Sequence, residues 1–369
     1  ILLIFNLTSA KSFNPKIVIK KYNPDLAFNG TTMFPLSKLD AETANNKNTI
    51  IEIDMLGNIV WEYVVPSDVV GDKRNNMGDV EYLPNGNILF QVHGLWTKKG
   101  ERKSLGSGNF EITRDGEIVW SYKDTGASHD IDRLENGNTI WVRGWAEKGE
   151  PHVIEVNLAG EVVWQWDAME EFDVEPYSKV SREGWIHVNA VTRLENGNTL
   201  ISLRNFDMVV EVNPQGKVVW SQKFFCDPYK MVGLWSQRGI DMGYDLYDDD
   251  DYPPGCNPHE PEIQSNGNML VSVRMPFKSY ELTREGEIVW EVGSEELNID
   301  SRRSRDVDRL PNGNTLVQVE SMLYEVTPEK EIVWFVDFPE IMWFRPSIAK
   351  SMFSQEPKSF WKQFIFKGL

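Results

Sequence analysis

Cysteine is nearly absent from this sequence. Its 369 residues hold two, Cys226 and Cys256, and no Cys-x-x-Cys or Cys/His spacing suggests a zinc site. Positive charge is also short: 38 Lys and Arg stand against 56 Asp and Glu, a formal net charge of −18. A nucleic-acid partner needs clustered basic groups to neutralise phosphates, so that class is set aside. The acidic balance suits a soluble surface, against which any local basic cluster stands out. No run of 18 apolar residues occurs, so no membrane span is expected in the body of the chain. A Gly-x-Ser-x-Gly elbow and a Walker loop are missing too, and Gly106-Ser107-Gly108 is too short to cradle a phosphate.

The opening stretch ILLIFNLTSAKS reads as the tail of a signal-peptide apolar region ending at Thr8-Ser9-Ala10, or equally as a buried strand. The first alternative implies a secreted or periplasmic protein. Asn6-Leu7-Thr8 and Asn29-Gly30-Thr31 fit the glycosylation sequon. Both cysteines lie in one segment, which leaves a disulfide closing that segment or two separate thiols.

What the chain does have is aromatic residues and repetition. It contains 14 tryptophans, and two signatures alternate along it. One is an Asn-Gly-Asn turn, at 85–87, 136–138, 196–198, 266–268 and 312–314. The other is Glu-apolar followed by Gly-x-apolar-apolar-Trp, ending at Trp61, Trp120, Trp164, Trp220, Trp290 and Trp334, with Lys330 in place of glycine in the last. Asn-Gly between β-branched runs predicts a hairpin with a two-residue type I′ turn. Two hairpins make a four-stranded unit, and units spaced like these are propeller blades. The expectation is an all-β, six-bladed β-propeller over 16–336, with blades at 16–65, 79–122, 130–166, 187–222, 259–292 and 305–336. The first hairpin is assigned to 16–36 around Asn29-Gly30, and the tryptophans to packing between blades.

Besides the N-terminal segment 1–15, three pieces fall outside the repeat: an extended hairpin loop at 95–108, a long insert at 221–258 between blades 4 and 5, and a C-terminal tail at 337–369. The insert carries Phe224, Phe225, Tyr229, Trp235, Tyr244, Tyr247 and Tyr252, which either wall a phenol pocket or pack on neighbouring blades. Its Asp248–Asp251 run reads as a solvated acidic loop, since no EF-hand-like calcium spacing is present.

The first strand of a blade lines the central channel. Counting back seven positions from the first Asn of each turn gives Gly78, His129, Asn189, His259 and Arg305. His187 sits two residues before Asn189 on the same strand face. The return strands end at His93, Arg143 (one position early), Arg204, Arg274 and Glu320. Four of the five histidines and four arginines thus converge on one opening, while His152 begins an outer hairpin and reads as structural. Guanidinium forks bind oxyanions bidentately, and a neutral imidazole is a nucleophile, acid or base near pH 7. No carboxylate pair falls on these columns, which argues against glycosidase chemistry.

These features together resemble the arylsulfotransferase family: six Trp hairpins, Asn-Gly-Asn turns, and His187-x-Asn189 followed by a strand ending in Arg204. The resemblance covers about residues 29–336. It implies a six-bladed propeller that moves a sulfuryl group from an aryl sulfate to a phenolic acceptor without a nucleotide donor, a metal or a cofactor. By position His259 matches the nucleophilic histidine and His129 the second histidine, which helps the phenolate leave. His187, Asn189 and Arg204 match the sulfuryl-binding group, with Arg143, Arg274, Arg305 and His93 as further substrate-binding candidates. Two departures are visible. The sequence shows no counterpart of the N-terminal β-domain of better-known bacterial members, and a Cys226–Cys256 disulfide would close a long loop where theirs closes a tight one. The rival expectations are a non-catalytic propeller that binds an anionic ligand or a protein, and a metal-dependent propeller hydrolase or lactonase, which would want carboxylates at the mouth.

Overall fold

The computed structural model describes residues 15–40, 45–72, 75–94, 105–180, 184–225, 256–274, 277–299 and 304–339. Most of the 221–258 insert lies outside the described residues, including Cys226, Tyr229, Trp235, Tyr244, Tyr247, Tyr252 and the Asp248–Asp251 run.

Every Asn-Gly-Asn motif folds into the same turn. In the second blade Gly86 N–H donates to the Leu83 carbonyl (2.8 Å) and Leu83 N–H to the Asn87 carbonyl (2.9 Å). Asn85 Oδ1 accepts the Asn87 N–H at 2.9 Å. Gly86 has φ +87° while Asn85 is not among the positive-φ residues. The loop is therefore a type I turn over Pro84 and Asn85, completed by a glycine bulge, and not the expected two-residue type I′ turn. The motif's leading position (Pro84, Glu135) tolerates ordinary backbone angles, so only glycine needs the left-handed region.

The hairpins assemble into six antiparallel sheets, and the molecule is a six-bladed β-propeller. Blades 2 to 5 have four strands each in chain order, with inner strands Asn76–Tyr82, Ile131–Arg133, Val188–Arg193 and Pro258–Ile263. Blade 6 runs from Ser304–Arg309 out to Ile332–Asp337, and blade 1 has three described strands, Thr32–Asp40, Asn45–Ile53 and Ile59–Val64. The expected first hairpin at 16–36 does not form. Val18–Tyr22 instead pairs antiparallel with the outer strand of blade 6, Val18 opposite Asp337 and Tyr22 opposite Trp334. Outer strands are edges with unpaired backbone groups, and this segment satisfies one of them while closing the ring. The effect is local: Val333 is fully buried, whereas its counterparts Val119, Val163, Val219 and Val289 are each at least 50% exposed.

Side chains from the repeat join neighbouring blades. In blade 3, Glu155 Oε1 accepts Asn138 Nδ2 (2.6 Å) and Oε2 pairs with Arg193 of blade 4 (2.6 Å). That guanidinium lies over Trp164, 5.0 Å from the ring centroid. Trp164 Nε1 donates to the Pro214 carbonyl of blade 4 (3.1 Å). The same Glu–Asn–Arg–Trp set recurs with Glu111, Asn87, Arg133 and Trp120, and with Glu281, Asn268, Arg309 and Trp290. Blades 2 and 5 carry Tyr82 and Ile263 where the arginine should be. Arg114 and Arg284, from their Thr-Arg-x-Gly turns, supply it instead, to Glu52 over Trp61 and to Glu211 over Trp220.

Candidate active site

The inner strands of four blades begin with irregular pairing. Register shifts occur at Met77/Val80, Val188/Ala190, His259/Glu262 and Ser304/Asp306. His129, His187 and Glu260 take positive φ (+71°, +50° and +44°). Bulges and left-handed non-glycine residues re-aim side chains at the cost of local backbone energy. Here they turn consecutive residues of the strand starts to different uses.

His259 is buried, and its Nδ1 lies 2.8 Å from the Asn257 carbonyl. A carbonyl only accepts, so Nδ1 carries the hydrogen and Nε2 keeps its lone pair. Burial holds the imidazole well below its ordinary pKa of 6.5, and the charges of Arg274, Arg305 and Arg204 lower it further. The ring is therefore neutral at neutral pH and faces three guanidinium groups.

Arg204 joins this group to a second one. Its Nη1 donates to His187 Nδ1 (3.1 Å), and His187 Nε2 lies 3.2 Å from His129 Nε2. His129 Nδ1 lies 3.0 Å from Ser128 Oγ. Trp145 packs against both rings, 4.9 Å from the His129 centroid and 6.2 Å from that of His187. Gly144 is required beside them, because a Cβ there would stand 2.6 Å from His129 Nδ1.

The sequence-predicted residues divide accordingly. His259, Arg274, Arg305, Arg204, His187 and His129 form one connected set. Asn189 holds it together: its Nδ2 donates to the Pro258 carbonyl (3.1 Å) and its Oδ1 accepts the Ser202 hydroxyl, tying blade 4 to the strand that bears His259. His93 is fully buried and stacks on Trp145 with ring centroids 5.3 Å apart, behind His129. Arg143 pairs with Asp124 (3.2 Å) and is not among the cations that act on His259. His152 is buried and accepts the Ala168 N–H (3.5 Å) through Nδ1. Cys256 is buried just before the nucleophile candidate, and its expected partner Cys226 lies outside the described residues.

Three features escaped the sequence reading. Ser128 and Trp145 gave no motif signal, being single residues beside a histidine and a glycine. The third is a tier of carboxyl groups one and three residues beyond the mouth column: Asp79 and Glu81, Asp130 and Asp132, Glu260 and Glu262, Asp306 and Asp308. That pattern was visible as an acid following the column residue in four of five blades. Several of these acids receive backbone N–H groups of the next blade: Asp79 from Ile131 (3.3 Å), Glu81 from Arg133 (2.8 Å) and Asp130 from Val191 (2.6 Å). Burial, then mutual repulsion, raises Asp130 and Glu260 well above the usual carboxylate range and Asp132 to about 8. A cationic, histidine-rich mouth thus sits beside a carboxyl tier in which Asp130, Asp132 and Glu260 hold their protons above the usual range.

The arrangement suits an oxyanion, with guanidinium groups around an unprotonated imidazole. Residues 121–226 match the family model described as Arylsulfotransferase (ASST). The arylsulfotransferase match spans blades 3 and 4. It takes in His129, Arg143, His187, Asn189 and Arg204 and ends before His259. No curated protein matches the chain in sequence. Among solved structures, a Bacteroides caccae protein of unknown function is 19% identical with a TM-score of 0.58, covering 87% of this chain and 98% of that one. A streptogramin B lyase is 12% identical (TM-score 0.49; 86% and 87% covered), and the Cps50 (Swd1) β-propeller domain of Myceliophteria thermophila 10% identical (TM-score 0.46; 87% and 89%). At these identities the likeness concerns the fold alone.

Proposed function

We propose that the protein is a nucleotide-independent sulfotransferase that passes a sulfuryl group from an aryl sulfate to a phenol through sulfated His259. The observation that carries this reading is the state of His259: Nδ1–H committed to the Asn257 carbonyl, Nε2 unprotonated, and Arg204, Arg274 and Arg305 acting on the ring. In the first half-reaction the Nε2 lone pair forms an N–S bond as the S–O(aryl) bond breaks, and the aryl oxide leaves to take its proton from solvent. In the second, a phenol loses its proton to solvent and its oxygen attacks sulfur, so the N–S pair returns to Nε2. The guanidinium groups stabilise charge on the sulfuryl oxygens and the departing oxygen. His129 has a different part from the one its position suggested. Its Nε2 meets His187 and its Nδ1 meets Ser128, so in this state it holds no proton free for the leaving oxygen.

The test is intact mass after mixing the protein with an aryl sulfate and no acceptor. One sulfuryl adduct is expected, lost on adding a phenol and never formed by His259→Ala. An anion-binding propeller without chemistry would protect the protein thermally against unfolding and give no adduct. We place the protein in a secreted or periplasmic setting, where a Cys226–Cys256 disulfide persists. A thiol titration of the denatured, unreduced protein is expected to find none, and two free thiols would remove the staple.

A further inference from the structure

The imidazoles of His129 and His187 lie in a chain whose proton positions can be read from its Arg204 end. At one end stands Arg204, which has donors only. Its contact to His187 Nδ1 leaves that nitrogen bare, so His187 is neutral with its hydrogen on Nε2. That hydrogen points at His129 Nε2, which must accept it, and the His129 hydrogen is then on Nδ1, facing Ser128 Oγ. At the other end, Gly144 N–H donates to Ser128 Oγ at 2.8 Å. With Gly144 and His129 both donating, the two lone pairs of Oγ are used, so the hydroxyl hydrogen points away from His129. Ser128 Oγ, which can donate or accept, fits the polarity set by Arg204 with its second lone pair.

We propose that Ser128 is a positioning residue of the active site, which accepts the Nδ1–H of His129 and holds that ring where it receives the hydrogen bond running from Arg204 through His187. Ser128 is completely buried and acts only through His129. The chain keeps both imidazoles neutral, so the positive charge facing the donor sulfate comes from arginines alone. It also holds the Arg204 guanidinium in one orientation, because adding a proton to either ring or flipping either tautomer sets two hydrogens or two lone pairs against each other. Gly144 supplies the N–H that orients Ser128 and the missing Cβ that lets His129 approach.

The rate consequence rests on the sulfuryl-transfer reading, whereas the tautomers can be read without turnover. The experiment is long-range ¹H–¹⁵N correlation NMR of the deuterated, ¹⁵N-labelled full chain, whose five histidines are assigned by single substitution. The wild type is expected to show His187 as the Nε2–H and His129 as the Nδ1–H tautomer. In Ser128→Ala the His129 signals should shift as its Nδ1–H loses its acceptor, with kcat down about 10-fold or more through misplacement of Arg204, and Ser128→Thr should restore both. An Nε2–H tautomer at His129 in the wild type, or unchanged His129 shifts in Ser128→Ala, would overturn the proposal. If Ser128→Ala does not fold, Ser128→Thr decides: a pure Nδ1–H tautomer supports the anchor and a mixed one refutes it. A wild type with the expected tautomers and no transfer would remove the sulfotransferase reading and leave the hydrogen-bond chain standing.

Discussion

At the scale of single residues, Arg204 is where the site is most exposed to a conservative error. It donates to His187 and acts on His259, two histidines on different blades. Lysine brings one point charge on a flexible stem and cannot reproduce a planar fork. Arg204→Lys is expected to lower kcat by about 10²-fold, as for loss of a donor to the transition state. A change in donor KM with kcat intact would show that Arg204 merely binds, and stopped-turnover kinetics with a chromogenic aryl sulfate separate the two. His259 makes a pH prediction of its own. Its pKa is depressed below 6.5, so the imidazole is unprotonated throughout the neutral range. The rate of adduct formation should stay flat from pH 8 down past about 6.5 and fall only where the buried ring finally protonates. A half-maximal rate near the ordinary histidine value would contradict that environment.

Between blades the decisive unit is the Glu–Asn–Arg–Trp set. Each glutamate is a buried (Glu111, Glu155) or half-buried (Glu281) acceptor with both oxygens in use, so removing it strands an asparagine and an arginine at once. Glu155→Ala releases Asn138 and Arg193, and Arg193 then loses the anchor that holds it over Trp164. A loss of about 2–4 kcal/mol in urea unfolding is expected, in the range found when one partner of a buried pair is removed. A variant as stable as wild type would reduce these contacts to surface ornament. The repeats announced these units openly, because Glu, Asn and Trp each recur at fixed offsets. The substitute arginines were harder to see. Arg114 and Arg284 lie in turns far along the chain from Tyr82 and Ile263, and only blade-to-blade packing shows that they fill the vacant places.

Across the whole molecule, charge is sorted into layers along the channel. The acid tier makes stability depend on pH in a definite sense. Asp132 titrates at about 8 in the folded state, raised by burial first and then by Asp79 and Glu262. Its unfolded value is about 3.9. Between those values the folded protein binds a proton that the unfolded chain releases, so the contribution is complete below pH ~3.9 and fades as pH rises through about 8. Asp132→Asn removes the dependence. Relative to wild type, its melting temperature should climb steadily from pH 5 to pH 8, and a constant difference would mean that Asp132 is ionised throughout. Ring closure is the other property of this scale. Val18–Tyr22 covers the outer strand of blade 6, with Ile19 opposite Val336, so the segment just ahead of blade 1 is fastened to the last blade.

The sequence by itself determined the number of blades, the hairpin positions after the first and the mouth column, because each depends on short-range periodicity: glycine at a turn, alternation along a strand, a fixed count to the strand start. It also named His129, His187, Arg204, His259, Arg274 and Arg305, since residues in equal register on successive blades must meet at one opening. The tertiary structure decided what no local pattern encodes. Which edge Val18–Tyr22 joins depends on an unpaired strand more than 300 residues away. The same is true of the separate ties of Arg143 to Asp124 and Asn189 to Pro258. Proton positions on the histidines follow from which donor or acceptor stands opposite each nitrogen, and those neighbours come from different blades.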